Sequence, residues 1–227
     1  MGVTVDLYIW SLDPVDDAAC LSPDEQARAA RFVYEKHRNA YVAARVGLRQ
    51  RLASVTGDDP AALRFDYGPQ GKPHLPDGPM FNLSHSGGLA CLAIHPTQEV
   101  GADIEAFRPV EDGIAKRFFS AAENRTLAAL PLSEREAGFF RCWTRKEAVI
   151  KALGGGLSIP LDAFDVTLDA QMAELARLDP AYGHAPEWAL SPFQLGPQVM
   201  GCVAVKTGSA PLRLQFRDAP EGIELTS

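Results

Sequence analysis

Cysteine is scarce and scattered. The four thiols, Cys20, Cys91, Cys142 and Cys202, form no CxxC pair and have no histidine at metal-ligand spacing. That excludes a zinc ribbon and a disulfide framework, and they read as small buried apolar residues in a reducing cytoplasm. No apolar run approaches the length needed to cross a bilayer. The opening MGVTVDLYIW has no basic segment and alternates like a strand, so no secretory leader is expected, and MGxxxD lacks the hydroxyl of a myristoylation site. Positive charge is in deficit too: 22 Lys and Arg against 29 Asp and Glu leave a net charge of -7. Binding to nucleic acid through bulk electrostatics is thereby excluded, although a local basic patch is not. Neither GxxxxGK[ST] nor GxGxxG occurs, so the common nucleotide-binding turns are missing.

What is present is an ordinary globular composition, 46% hydrophobic and 22% charged over 227 residues. That length suits one large domain or two of about 100 residues each. Val3 to Trp10 alternates with period two and predicts a strand. Ser22-Pro23-Asp24-Glu25 predicts a helix start, with a long helical stretch ending near Val55. Arg28, Arg31, Lys36, Arg38, Arg45, Arg49 and Arg51 recur along it. Most of them fit a solvated face, yet this is the densest positive region of an acidic protein and suits an anionic ligand. Gly68 to Pro79 is a turn-rich loop in which Lys72, between Gly71 and Pro73, presents one ammonium rigidly to a phosphate. Phe81-Asn82-Leu83-Ser84-His85-Ser86-Gly87-Gly88 reads as a strand end breaking into a small-residue loop, followed by a buried strand at Leu89 to His95. His85 is either a satisfied structural residue or a ligand contact where glycines let backbone approach.

Two stretches carry the chemistry. In Val100 to Phe107, Asp103 and Glu105 point to one side of a strand while Ala102, Ile104 and Ala106 point to the other. Like charges side by side on an apolar strand repel, and a hard divalent cation resolves this; the plainer alternative is a strand emerging into solvent. In Phe139 to Gly156, Trp143, Glu147 and Lys151 fall at i, i+4 and i+8 on one helix face. Ser133 with Glu136 predicts a capping box for that helix, and Gly154 to Gly156 its stop. Read alone, Glu147 and Lys151 are an ordinary surface pair. Ser120 with Glu123 makes another capping box. Strands are predicted at Phe164 to Leu168, Ala189 to Leu195 and Val199 to Lys206, while Leu175 to Pro186 and the end beyond Gly208 carry no signal. No repeat shows by residue identity, but element order suggests two similar halves joined near residue 98.

Asp103, Glu105 and Glu147 could converge on one cation, with Lys72, His85 and Lys151 around it. That suits a reaction at a phosphate or pyrophosphate, a carboxylate taking a proton from an attacking hydroxyl. Gly101-Ala102-Asp103-Ile104-Glu105 resembles the G-[VI]-D-[IV]-E motif of the 4'-phosphopantetheinyl transferases, and Trp143-Thr144-Arg145-Lys146-Glu147-Ala148 with Lys151 resembles their W-[TS]-x-K-E-[AS]-x-x-K. The Gly71-Lys72-Pro73 loop, Asn82-Leu83-Ser84-His85 and Phe118-Phe119-Ser120 match as well. The likeness spans roughly Ser22 to Lys206 and the longer, pseudo-dimeric kind; Ala102 departs from the usual Val or Ile, away from the carboxylates.

The resemblance implies an α+β fold of two similar halves, 1–98 and 99–227, each a long helix on a small antiparallel sheet, with the site between them. It implies coenzyme A as donor, a serine of an apo acyl- or peptidyl-carrier protein as acceptor and 3',5'-ADP as leaving group. By position, Asp103, Glu105 and Glu147 would hold Mg2+ or Mn2+. Glu147 would serve as base and Lys151 would stabilise developing charge. Lys36, Lys72, Ser84, His85 and Lys151 would contact the coenzyme, Arg28 and Arg45 being further candidates. Carrier docking is expected between Glu111 and Leu132 through Ile114, Phe118 and Phe119. No nucleic acid or membrane partner is expected, and the duplicated halves point to a monomer. The rivals are a metal-dependent phosphodiesterase and a non-catalytic carrier-binding module.

Overall fold

The computed structural model describes residues 2–226, apart from the side chain of Leu157. The chain passes through β1 (Val3–Ser11), α1 (Pro23–Ala29), α2 (Glu35–Thr56), the two-residue strands β2 (Asp66–Tyr67) and β3 (Pro73–His74), β4 (Met80–Ser86) and β5 (Leu89–His95). It continues through β6 (Val100–Ala106), α3 (Ile114–Phe118), α4 (Ala121–Ala129), α5 (Arg135–Leu153), β7 (Phe164–Val166) and β8 (Leu175–Leu178). It closes with β9 (Trp188–Leu195), β10 (Val199–Lys206), β11 (Leu212–Asp218) and β12 (Leu225–Thr226).

Two four-stranded sheets result, ordered β11-β1-β5-β4 and β12-β9-β10-β6. Without β11 and β12 they share one plan: a strand, a long helix, then a hairpin whose second strand lies in the centre. The fold is α+β with two similar halves, as the sequence predicts. Alternation along the strands explains the layers. One apolar cluster joins Val5, Leu7 and Ile9 of β1 to Ala102 and Ile104 of β6 and Val203 and Val205 of β10. On the far side of the first sheet, Leu48 and Leu52 of α2 meet Trp10, Phe81 and Leu92. On the far side of the second, Phe140, Ala148 and Ala152 of α5 meet Cys202 and Ala204. Among the described residues no helix is long and apolar enough to cross a membrane.

Five local expectations change. The long helix breaks at Ala30 to Tyr34, where Phe32 turns in against the Tyr41 ring at 5.4 Å and Tyr34 is extended; a tertiary contact overrides helical propensity. Arg45 and Arg49 are buried rather than solvated, both bonded to the carboxylate of Glu25. The Ser133–Glu136 capping box does not form, because a 3-10 turn at Leu132–Glu134 leads into α5. Asn82 to Ser86 continue as strand up to Gly87 and Gly88, whose φ values of 60° and 79° make a tight hairpin turn. Beyond Gly208, where no element is expected, β11 adds to β1 in parallel.

Candidate active site

Gly101 decides how close helix and sheet come. A Cβ there would lie 2.0 Å from the Ala148 carbonyl oxygen and 2.4 Å from the Ala152 nitrogen, so only glycine lets α5 seat on β6. Asp103 and Glu105 follow at i+2 and i+4, on the same side of the strand. The face of α5 carrying Glu147 and Lys151 is therefore laid over them.

Lys151 does not pair with Glu147. Its ammonium donates to Asp103 Oδ1 at 2.5 Å and to the Ser84 hydroxyl at 3.2 Å. The Ser84 hydroxyl in turn donates to the same Oδ1 at 2.9 Å, while Asp103 Oδ2 is buried without a partner. Burial pushes the Asp103 carboxyl up, against the pull of Lys151. Half-buried Glu147 is pushed up by desolvation and then by the charge of Asp103, with Glu105 adding to it. Glu105 Oε2 accepts from the Ser86 hydroxyl at 2.8 Å and from Arg108 at 2.5 Å.

Among the described residues no three acidic, histidine or cysteine side chains are grouped so that they could hold a metal ion; Lys151 and Arg108 lie against two of the three carboxylates instead. The chemistry of the donors still suits a hard divalent cation: they are all carboxylate oxygens, and the buried Asp103 Oδ2 is without a partner.

Beside this group lies a cleft of about 1030 Å³ walled by the α1–α2 connection, the start of α2, Gly71, Pro73 and β4. Arg28, Lys36, Arg45 and His85 line it, with Phe32 and Tyr41 as apolar wall. Ser86 lines it too, so the cleft reaches the residue that holds Glu105. The guanidinium of Arg28 sits over the Tyr41 ring, 5.3 Å from its centroid.

The predicted contacts divide. Lys36 and His85 stand in the cleft wall. Lys72 does not; its ammonium donates to Glu99 at 3.1 Å and to the Val100 carbonyl at 3.2 Å, bracing the start of β6. Ser84 is also outside the wall, and its hydroxyl is fully used by Asp103, Lys151 and the Ile104 N–H. Phe119 is buried against Phe139 and so cannot dock a partner. Phe118 lies edge-on to Trp143, leaving Lys116 and Arg117 as the exposed side chains of α3. Ser86 and Arg108 were missed. The period-two run Asn82, Ser84, Ser86 was the available signal for the first, and i,i+3 spacing from Glu105 for the second.

A cleft lined by Arg28, Lys36, Arg45 and His85 beside a cluster of carboxylates suits a phosphate-bearing ligand. Residues 14–97 match the family model described as 4'-phosphopantetheinyl transferase, N-terminal, and residues 99–201 that of the 4'-phosphopantetheinyl transferase superfamily. The 4'-phosphopantetheinyl transferase HetI of Nostoc sp. is 38% identical over 215 residues, covering 88% of this chain and 87% of its own. The transferase Sfp of Bacillus subtilis is 37% identical over 150 residues, 65% of this chain and 66% of its own. AcpT of Salmonella typhimurium is 38% identical over 122 residues, 52% and 60% respectively. The chain belongs to the 4'-phosphopantetheinyl transferase family.

Proposed function

We propose that this enzyme moves the 4'-phosphopantetheine group of coenzyme A onto a serine hydroxyl of an apo acyl- or peptidyl-carrier protein, releasing 3',5'-ADP. The observation that carries the proposal is the set of cations, Arg28, Lys36 and His85, in a cleft that also takes in Ser86, the residue bonded to Glu105. Arg28, Lys36 and His85 hold the coenzyme phosphates, and Lys72 would join them only by leaving Glu99. Asp103, Glu105 and Glu147 would hold Mg2+, or Mn2+, which supplies charge neutralisation at the pyrophosphate. Glu147 takes the proton from the attacking serine hydroxyl. Lys151, already anchored between Ser84 and Asp103, donates to the phosphoryl oxygen that gains charge as the serine attacks.

The acceptor docks on α3, where exposed Lys116 and Arg117, with Arg108 nearby in sequence, meet an acidic carrier surface and Phe118 with Ile114 lends apolar contact. One chain supplies both halves of the site and works as a monomer, and four free thiols suit a cytoplasmic enzyme. The direct test mixes the protein with apo carriers, coenzyme A and Mg2+ and follows carrier mass. Gain of one phosphopantetheine, lost in Glu147→Gln with unchanged circular dichroism, is the expected outcome. Carriers that all keep their apo mass would refute the proposal.

A further inference from the structure

The two halves meet along β4 and β6 without a backbone ladder between them. Three side chains of β4 take its place. Asn82 Oδ1 accepts from the Ala102 N–H at 2.9 Å, Ser84 Oγ from the Ile104 N–H at 3.3 Å and Ser86 Oγ from the Ala106 N–H at 3.0 Å. Both strands repeat every two residues, so the rungs align in register.

Two of these rungs do more than join the halves. A hydroxyl has one proton and two lone pairs. Once a backbone N–H takes a lone pair, the proton is steered elsewhere, and in both serines it goes to the carboxylate one residue before the rung. Ser84 thus holds Asp103 Oδ1 and Ser86 holds Glu105 Oε2. The second oxygens differ: Asp103 Oδ2 is buried and unpartnered, whereas Glu105 Oε1 accepts from the exposed guanidinium of Arg108 at 3.3 Å, a contact that a bound cation would have to displace.

We propose that Ser86, together with Ser84, is a positioning residue that fixes the rotation of the Glu105 and Asp103 carboxylates for a divalent cation, which takes the open Asp103 Oδ2 and displaces Arg108 from Glu105. The inference rests on the ion proposed above for these carboxylates. Asn82 is the internal control, since its rung joins the same strands and touches no carboxylate.

The experiment titrates Mn2+ into the full-length protein at saturating coenzyme A, reading free Mn2+ by electron paramagnetic resonance and following thermal midpoints alongside. Removing a group that orients a metal ligand typically weakens the metal about 10–100-fold. Ser86→Ala is expected to weaken Mn2+ by about that much, Ser86→Thr to restore it, and Asn82→Ala to lower the midpoint with Mn2+ affinity unchanged. Ser84→Ala gives a second reading of the same kind at Asp103. Wild-type affinity in Ser86→Ala, or equal loss in Asn82→Ala, would overturn the positioning role while leaving the ion in place. A wild-type protein that binds no Mn2+ would instead remove the ion itself, and the inference with it.

Discussion

Gly101 is the residue on which the geometry turns, because its missing Cβ is occupied by α5 backbone. Backbone atoms cannot swing aside as a side chain could. Gly101→Ala is therefore expected to lift α5 off β6 and cost about 1–3 kcal/mol through overpacking. Activity should fall further than stability, because Glu147 and Lys151 move with the helix; thermal melts and transfer assays on the folded fraction measure the two. Glu25 is the second such residue. Burial pushes its carboxyl up, but Arg45 and Arg49, with the Ser22 N–H, outweigh that and hold it below the usual range. Its contribution is thus complete above the unfolded carboxylate pKa of about 4.3 and is lost as pH falls through the lower folded value. Glu25→Gln leaves two guanidinium groups facing a neutral amide and should cost about 3–5 kcal/mol near neutral pH. Urea denaturation should show that difference shrinking as pH falls below 4, in the direction set by the lowered pKa.

At the scale of the element, α5 has two working faces. Glu147 and Lys151 look onto the carboxylates of β6, whereas Arg145 and Lys146 brace the helix from other sides. Arg145 is fully buried and donates to the carbonyls of Thr167 at 2.6 Å and Asp169 at 2.7 Å. The Lys146 ammonium donates to Glu123 Oε1 and to the Phe164 carbonyl, each at 2.7 Å. Glu123 also closes the capping box of α4 through the Ser120 N–H and accepts from the Val166 N–H. A single ion pair thereby ties α4, α5 and β7 together. Removing one partner strands a buried charge, so Lys146→Met should cost about 3–5 kcal/mol, while Lys146→Met with Glu123→Gln should recover part of it. Urea midpoints of the single and double variants measure the coupling, and additive losses would show that the pair does not act as a unit.

At the scale of the whole molecule, the end of the chain straps the halves together. β11 leaves the second half to pair with β1 of the first, and β12 returns to β9. Leu212, Leu214 and Phe216 pack onto the cluster between the sheets, while Arg217 pairs with Asp6 and Arg51 with Asp218. Truncation after Gly208 should lower the urea midpoint and loosen the contact between the halves, visible as faster amide exchange in β1. An unchanged midpoint would show that β11 is only an ornament of the edge.

Much of this was legible in the residues because it follows from local geometry. Period two places Asp103 and Glu105 together, a helical repeat places Glu147 one turn from Lys151, and Gly154 at φ 71° ends the helix as its position predicts. The plan of strand, helix and hairpin in each half shows in the same periodicities. Other features depend on which faces meet. Ser86 and Glu105 are 19 residues apart, Glu25 and Arg45 are 20 apart, and Asp6 and Arg217 are 211 apart. Nothing local selects those partners, since the hydroxyl, carboxylate or guanidinium could bond equally well elsewhere. Residue pattern alone set most of the strands and helices and the side each group faces, whereas the break before α2 and the strand β11 depend on tertiary contacts. Folding chose the partners, because burial and the closing of two sheets decide which donors come within reach of each acceptor.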